Sequence, residues 1–239
     1  MNDHEPQKYN YSQPPGWTAD NNIGVPRPQT VDQVGLNERL AFIRKVYSLF
    51  LVAILFAVGG VMLGFTFPPL MIAAAEHPII MLMVMIAGVM GAQAVRHVPR
   101  VNLIALFGFT TLTGVIISPL LYVVSRSNPV SILQAGVLTV GIFGGLTAYV
   151  FVSNRDFSFL RGMVTVGLIV VILAGLFNLI FVGSLGIGFA VACATLLLFA
   201  GFVLYDTSNI IRRYPTTEYV AGALDLYLDA LNIFLALLR

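Results

Sequence analysis

"ALDLYLDALNIFLALLR", residues 223–239, decides how this chain is read. The stretch has the composition of a membrane helix, yet it carries Asp225 and Asp229, with no Lys or Arg before Arg239. A charged Asp at mid-bilayer costs about 2.5–3.5 kcal/mol on insertion scales, and more in simulations. Carboxylates there must face a bundle interior, pair with something or hold a proton. Helical spacing puts Glu218, Gly222, Asp225, Asp229 and Asn232 on one face. Val220, Ala223, Tyr227, Ala230 and Phe234 share the uncharged opposite face, predicted to meet lipid or neighbouring apolar helices.

The rest of the chain agrees with a membrane setting. Of its 239 residues 58% are hydrophobic and only 10% charged, and mean hydropathy is +0.88. A soluble domain carries about 25% charged residues, so the composition indicates a polytopic membrane protein rather than a globular enzyme. The net charge of +2 is too small to point to nucleic acid. The single cysteine, Cys193, excludes an intrachain disulfide framework and a Cys-rich metal site. Its apolar surroundings predict a small buried hydrophobe.

The first apolar run starts too late for an ordinary signal peptide, so the polar N-terminus is expected to be retained. Residues 1–38 are assigned to a disordered cytoplasmic tail and 39–239 to a transmembrane domain. Five of the twelve prolines fall in that tail, which has too little apolar surface to fold alone. Trp17 there is either a ligand for a partner or an ordinary tail aromatic.

A membrane helix needs roughly 20 mostly apolar residues. Seven runs answer to that: 45–67, 78–96, 101–124, 130–152, 162–182, 185–205 and 219–238. The expectation is an all-α protein with seven transmembrane helices. Lys8, Arg27, Arg39, Arg44 and Lys45 precede the first run. Arg96 and Arg100, Arg155 and Arg161, and Arg212 and Arg213 flank alternate connections. The opposite loops hold only Arg126, which places the N-terminus in the cytoplasm. The compact chain favours a bacterial inner membrane over a eukaryotic internal one. Gly60 with Gly64, and Gly141 with Gly145, are spaced for close helix packing, expected within one bundle.

Asp206 follows the sixth run, and helix is predicted to continue to about Arg213, because nothing breaks it before Pro215. Asp206 then lies about 10 Å inside the cytoplasmic end. The last two helices form a hairpin on which the acids meet. Counting pairs Asp206 with Asp225, whereas helix tilt brings Asp229 level instead. Two adjacent carboxylates cannot both ionise cheaply, so a proton is shared. Arg96 is either a counter-ion that closes the path or an interfacial anchor. His97 reads as a loop residue that can titrate, Asn178 as a structural group bonded across helices, and Glu76 and His77 as solvated residues of an external loop.

Several stretches resemble the Bax inhibitor-1 family, also called the TMBIM or Lifeguard group. They are "RLAFIRKVYSLF", "NRDFSFL", "LFNLIF" and, above all, "YDTSNIIRRYPTTEYVAGALDLYLDALNIFLALLR". The resemblance implies seven helices with the last one central and surrounded by the other six. It also implies a pH-sensitive calcium leak, with Asp206 and Asp229 as the paired aspartates and Arg96 as the latch. Asp225 departs from the family, which more often has a small or neutral polar residue there.

The leading expectation is thus a calcium leak gated by protonation of Asp206 and Asp229 and latched by Arg96. The two acids are transient calcium ligands, and Asp225, Asn232 and Glu218 form an additional cation or proton site. Calcium is the permeant ion rather than a cofactor. The expected partners are the bilayer, calcium, protons and other membrane proteins, without nucleic acid. A second reading is a membrane-embedded regulator of stress, cell-death or protease machinery that transports nothing. A remote third is an intramembrane aspartyl protease, against which stand the bulky Leu226, Tyr227 and Leu228 before Asp229, where such enzymes have Gly-x-Gly. Serine and zinc hydrolase signatures are absent from the sequence.

Overall fold

The computed structural model describes residues 17–19, 26–153, 155–178, 180 and 183–239. Lys8 and most of the tail assigned as disordered lie outside the described residues. The described part of that tail pairs two short strands, β1 (Trp17–Ala19) and β2 (Pro26–Pro28), in antiparallel fashion. The elements after it are all helices: α1 (Leu36–Thr66), α2 (Pro68–Glu76), α3 (Pro78–Ala94), α4 (Val101–Ser127), α5 (Pro129–Ser153), α6 (Arg161–Phe177), α7 (Leu185–Arg212) and α8 (Tyr219–Leu238). A single 3-10 turn, Ser158–Leu160, precedes α6.

Six of these helices are long and apolar enough to cross a membrane. The pair α2 and α3, bent by 100°, supplies a seventh if it counts as one span. Residues 68–76, read from sequence as loop, are helical. Pro78 has no N–H to donate into a preceding turn, so the chain breaks at His77 and restarts in a new direction. The protein is therefore an all-α, multi-pass membrane protein. Helix α1 begins nine residues before the apolar run expected at 45. Its 31 residues span about 46 Å, well beyond a hydrocarbon core of about 30 Å. The extension carries Arg39, Arg44 and Lys45 and sets the Lys45 ammonium 3.4 Å above the Tyr219 ring at the start of α8.

Helix α8 is the centre. In its most apolar stretch 61% of residues are buried, against 6–33% in the other single-helix spans. It packs on α1, α4, α5 and α7, whereas α6 leans mainly on α7. Ala223, Leu226, Tyr227, Ala230 and Ile233 are buried as well as Asp229. The face opposite the acids thus meets neighbouring apolar helices, one of the two surroundings expected for it, and the helix is enclosed on nearly every side.

Glycine lets α1 and α4 touch backbone to backbone. A Cβ on Gly60 would sit 2.0 Å from the Thr111 carbonyl oxygen, and one on Gly114 would sit 2.0 Å from that of Ala57. Gly64 meets the Ser118 side chain in the same way. Gly141 and Gly145 do not follow the expectation of bundle packing: they face open space on the outside of α5. Cys193 is likewise exposed rather than buried. Asn178 does not bridge helices; its side-chain oxygen accepts from the Ser184 N–H at 3.1 Å, and its carbonyl from the Gly183 N–H at 2.7 Å. It turns the chain out of α6, and Gly183 supplies the positive φ of 58° that this turn needs.

Candidate functional site

Three connections gather at the arginine-bearing end of the bundle. The Arg213 guanidinium reaches Asp156 at 2.5 Å and Ser158 at 2.9 Å, tying the α5–α6 connection to the end of α7. The Ser208 hydroxyl accepts from the Phe157 N–H at 3.1 Å. Arg96, just past α3, approaches Glu218 at the start of α8 to 3.6 Å. Between these contacts lies a cavity of about 620 Å³, lined by Gln93, Arg96, Asp206, Asn209, Glu218 and Asp225 among others.

Asp206 on α7 and Asp229 on α8 lie within hydrogen-bonding reach of each other. Two carboxyl groups make such a bond only if one of them carries a proton. Asp206 is half-buried at the cavity wall, while Asp229 sits deeper and is 2% exposed. Asp229 Oδ2 has no hydrogen-bond partner among the described residues. The pairing expected from counting, Asp206 with Asp225, is not the one formed. Asp225 lies close enough to raise the local negative charge, but its own oxygens are taken. Oδ1 accepts from the Gln93 amide at 3.2 Å, and Oδ2 accepts from the Tyr214 hydroxyl.

Tyr214 lies in the α7–α8 connection. Burial, and after it the charge and bond of Asp225, push its hydroxyl well above the ordinary tyrosine range, which keeps it a donor. Glu218 faces two basic neighbours at the mouth in charge contact: Oε2 lies 3.6 Å from Arg96 Nε, and Oε1 lies 3.4 Å from His97 Nδ1. Arg96 Nε also donates to His97 Nε2 at 3.1 Å. Arg96 therefore contacts Glu218 rather than the Asp206–Asp229 pair, although it lines the same cavity. Asn232 stands apart from this set and donates to its own helix, at the Leu228 carbonyl, at 2.8 Å.

The match to known proteins runs over this whole helical part. The family described as "Inhibitor of apoptosis-promoting Bax1" matches residues 39–239. The chain belongs to the Bax inhibitor-1 family. Protein lifeguard 4 of the mouse is 32% identical over 233 residues, covering 92% of this chain and 96% of that protein. The Golgi anti-apoptotic protein of vaccinia virus is 32% identical over 213 residues, covering 88% of each. An uncharacterised membrane protein of Vibrio cholerae is 42% identical over 139 residues, covering 57% of this chain and 61% of that one. Members of this Bax inhibitor-1 and Lifeguard group thus include proteins named for suppression of apoptosis.

Sequence reasoning singled out Asp206, Asp225, Asp229, Glu218 and Arg96; four of them line one cavity, and Asp229 lies behind its wall beside Asp206. It missed Tyr214 and Gln93. Gln93 had a signal: an amide inside an otherwise apolar helix needs a partner. Tyr214 had none, because a tyrosine before a proline reads as ordinary loop.

Proposed function

We propose that this member of the Bax inhibitor-1 family is a pH-sensitive calcium leak, with its N-terminus cytoplasmic and a bacterial inner membrane as its setting. Protonation of Asp206 and Asp229 is the gate, and Arg96 is the latch. One observation carries the reading: the two carboxyl groups lie within hydrogen-bonding reach of each other while Arg96 faces Glu218. With the pair fully charged, its attraction for Arg96 outweighs that of the single Glu218 carboxylate, and the guanidinium plugs the cavity. With protons added, the pair releases Arg96 to Glu218. Asp225, Tyr214 and Arg213 face the same space, His97 lies against Glu218 outside it, and all four bias this exchange.

Calcium is the cargo. Carboxylate and carbonyl oxygens suit a hard cation, and Asp229 Oδ2 is an oxygen without a partner among the described residues.

Calcium flux into proteoliposomes at pH 6, 7 and 8 tests the reading. Flux rises as pH falls in the parent, and Asp229→Asn flattens the profile. Equal flux from parent and variant at every pH removes the mechanism. The names of the vaccinia and mouse relatives favour a second reading, regulation of other membrane proteins without transport. Full regulatory effect from a chain carrying both Asp206→Asn and Asp229→Asn would support it.

A further inference from the structure

We infer that residues 29–31 form a strap that positions Tyr214 on Asp225, and that seating this strap sets how accessible the cavity is. The Val31 N–H donates to the Tyr214 carbonyl at 3.0 Å, and the Thr216 N–H donates to the Gln29 carbonyl at 3.1 Å. Thr30 and Pro215 face each other between these bonds as an antiparallel bridge. The Val31 side chain is 0% exposed and belongs to the main hydrophobic core. Burial of this apolar side chain favours the seated segment, and the two backbone bonds beside it fix its register. A tight turn, Gln33 N–H to Thr30 carbonyl at 2.9 Å, leads directly into α1.

Tyr214 is thereby held from both sides. Its own N–H donates to the Asn209 carbonyl at 3.0 Å, and its carbonyl receives Val31. Pro215 fixes the next φ and offers no competing donor. The ring can then only point inward, where its hydroxyl takes Asp225 Oδ2 while Gln93 takes Oδ1. With each oxygen already accepting one bond, Asp225 offers fewer free lone pairs to a cation entering the cavity. Lifting the strap releases the Tyr214 backbone and returns one carboxylate oxygen to the cavity. Tyr214 and Val31 are positioning residues that act through Asp225. Only the calcium arm of the test below rests on the proposed leak.

The test uses the full chain in a Cys193→Ala background with Asn209→Cys as a reporter on the cavity wall. A charged thiol reagent is applied, and modification at residue 209 is followed by peptide mass. Val31→Asp expels the strap, and Tyr214→Phe removes the hydroxyl. Each is expected to speed labelling roughly three- to tenfold, the effect of one typical intramolecular hydrogen bond. The double variant labels no faster than either single one. Unchanged labelling in Val31→Asp, or effects that multiply in the double variant, overturns the strap.

Thr30→Cys with Pro215→Cys supplies a second route should Val31→Asp fail to assemble. Such non-hydrogen-bonded pairs bring Cα atoms to about 4.5 Å, within disulfide reach. Labelling at residue 209 must then be slower oxidised than reduced, and equal rates overturn the strap. Calcium flux is measured in parallel on the same samples. Faster labelling without faster flux keeps the strap and removes the leak.

Discussion

Tyr227 on α8 and Thr113 on α4 share a buried hydroxyl–hydroxyl hydrogen bond in the middle of the bundle. Thr113 is fully buried, and Tyr227 is 2% exposed with its ring edge-on to Phe109. The bond fixes how the central helix is rotated against α4, and so where the acids on its other face point.

That pair makes an asymmetric prediction. Tyr227→Phe leaves the Thr113 hydroxyl still bonded to the Thr110 carbonyl at 2.8 Å, so the loss should be about 0.5–1.5 kcal/mol. Thr113→Val leaves the Tyr227 hydroxyl buried and unpaired, at a cost of about 1–3 kcal/mol. Unfolding in detergent, followed by circular dichroism, ranks the two. A larger loss from Tyr227→Phe contradicts the assignment.

The proposed Arg96 exchange separates two substitutions at the cavity mouth. If Arg96 is the latch, Arg96→Ala should make calcium flux high and nearly independent of pH between 6 and 8. Glu218→Gln removes the competing site, so Arg96 should stay on the acid pair to lower pH and flux at pH 7 should fall. Opposite shifts of the two flux profiles are the expected signature, and parallel shifts exclude competition for the guanidinium.

Glycine packing predicts a contrast between helices. Gly60→Ala drives a methyl to 2.0 Å from a backbone oxygen that belongs to another helix. Overpacking of this kind costs about 1–3 kcal/mol or more. Gly141→Ala meets nothing within 4 Å and should stay within about 0.5 kcal/mol of the parent. Thermal midpoints of the two purified variants give the comparison directly.

Asp156 predicts an acid-dependent contribution. The Ser158 backbone N–H first, and the Arg213 guanidinium after it, hold its carboxyl below the ordinary aspartate range. A carboxyl lowered on folding stabilises above its unfolded value and loses that contribution as pH falls through the folded one. The window therefore lies below about pH 4. Both partners are largely exposed, 54% for Arg213 and 42% for Asp156, so the pair contributes less than about 1 kcal/mol. Melting of Asp156→Asn should trail the parent slightly at pH 6 and converge with it toward pH 3. A gap that widens on acidification refutes the sign.

Membrane character, the apolar helices and the unusual position of Asp206, Asp225 and Asp229 were determined by the sequence itself. The reason is energetic: a bilayer punishes exposed backbone and isolated charge so strongly that composition alone reveals both. The length of α1, the break at His77 and the choice of Asp229 over Asp225 as partner of Asp206 were decided only in three dimensions. Apolar run length marks where lipid ends rather than where hydrogen bonding ends, and helix tilt is set by packing. The same holds for Arg96, whose contact with Glu218 depends on how the end of α3 meets the start of α8. Tyr214 shows the limit most plainly. Its meaning comes from Val31, which takes its carbonyl through the backbone, and from Asp225, which takes its hydroxyl, and folding alone brings these separated residues together.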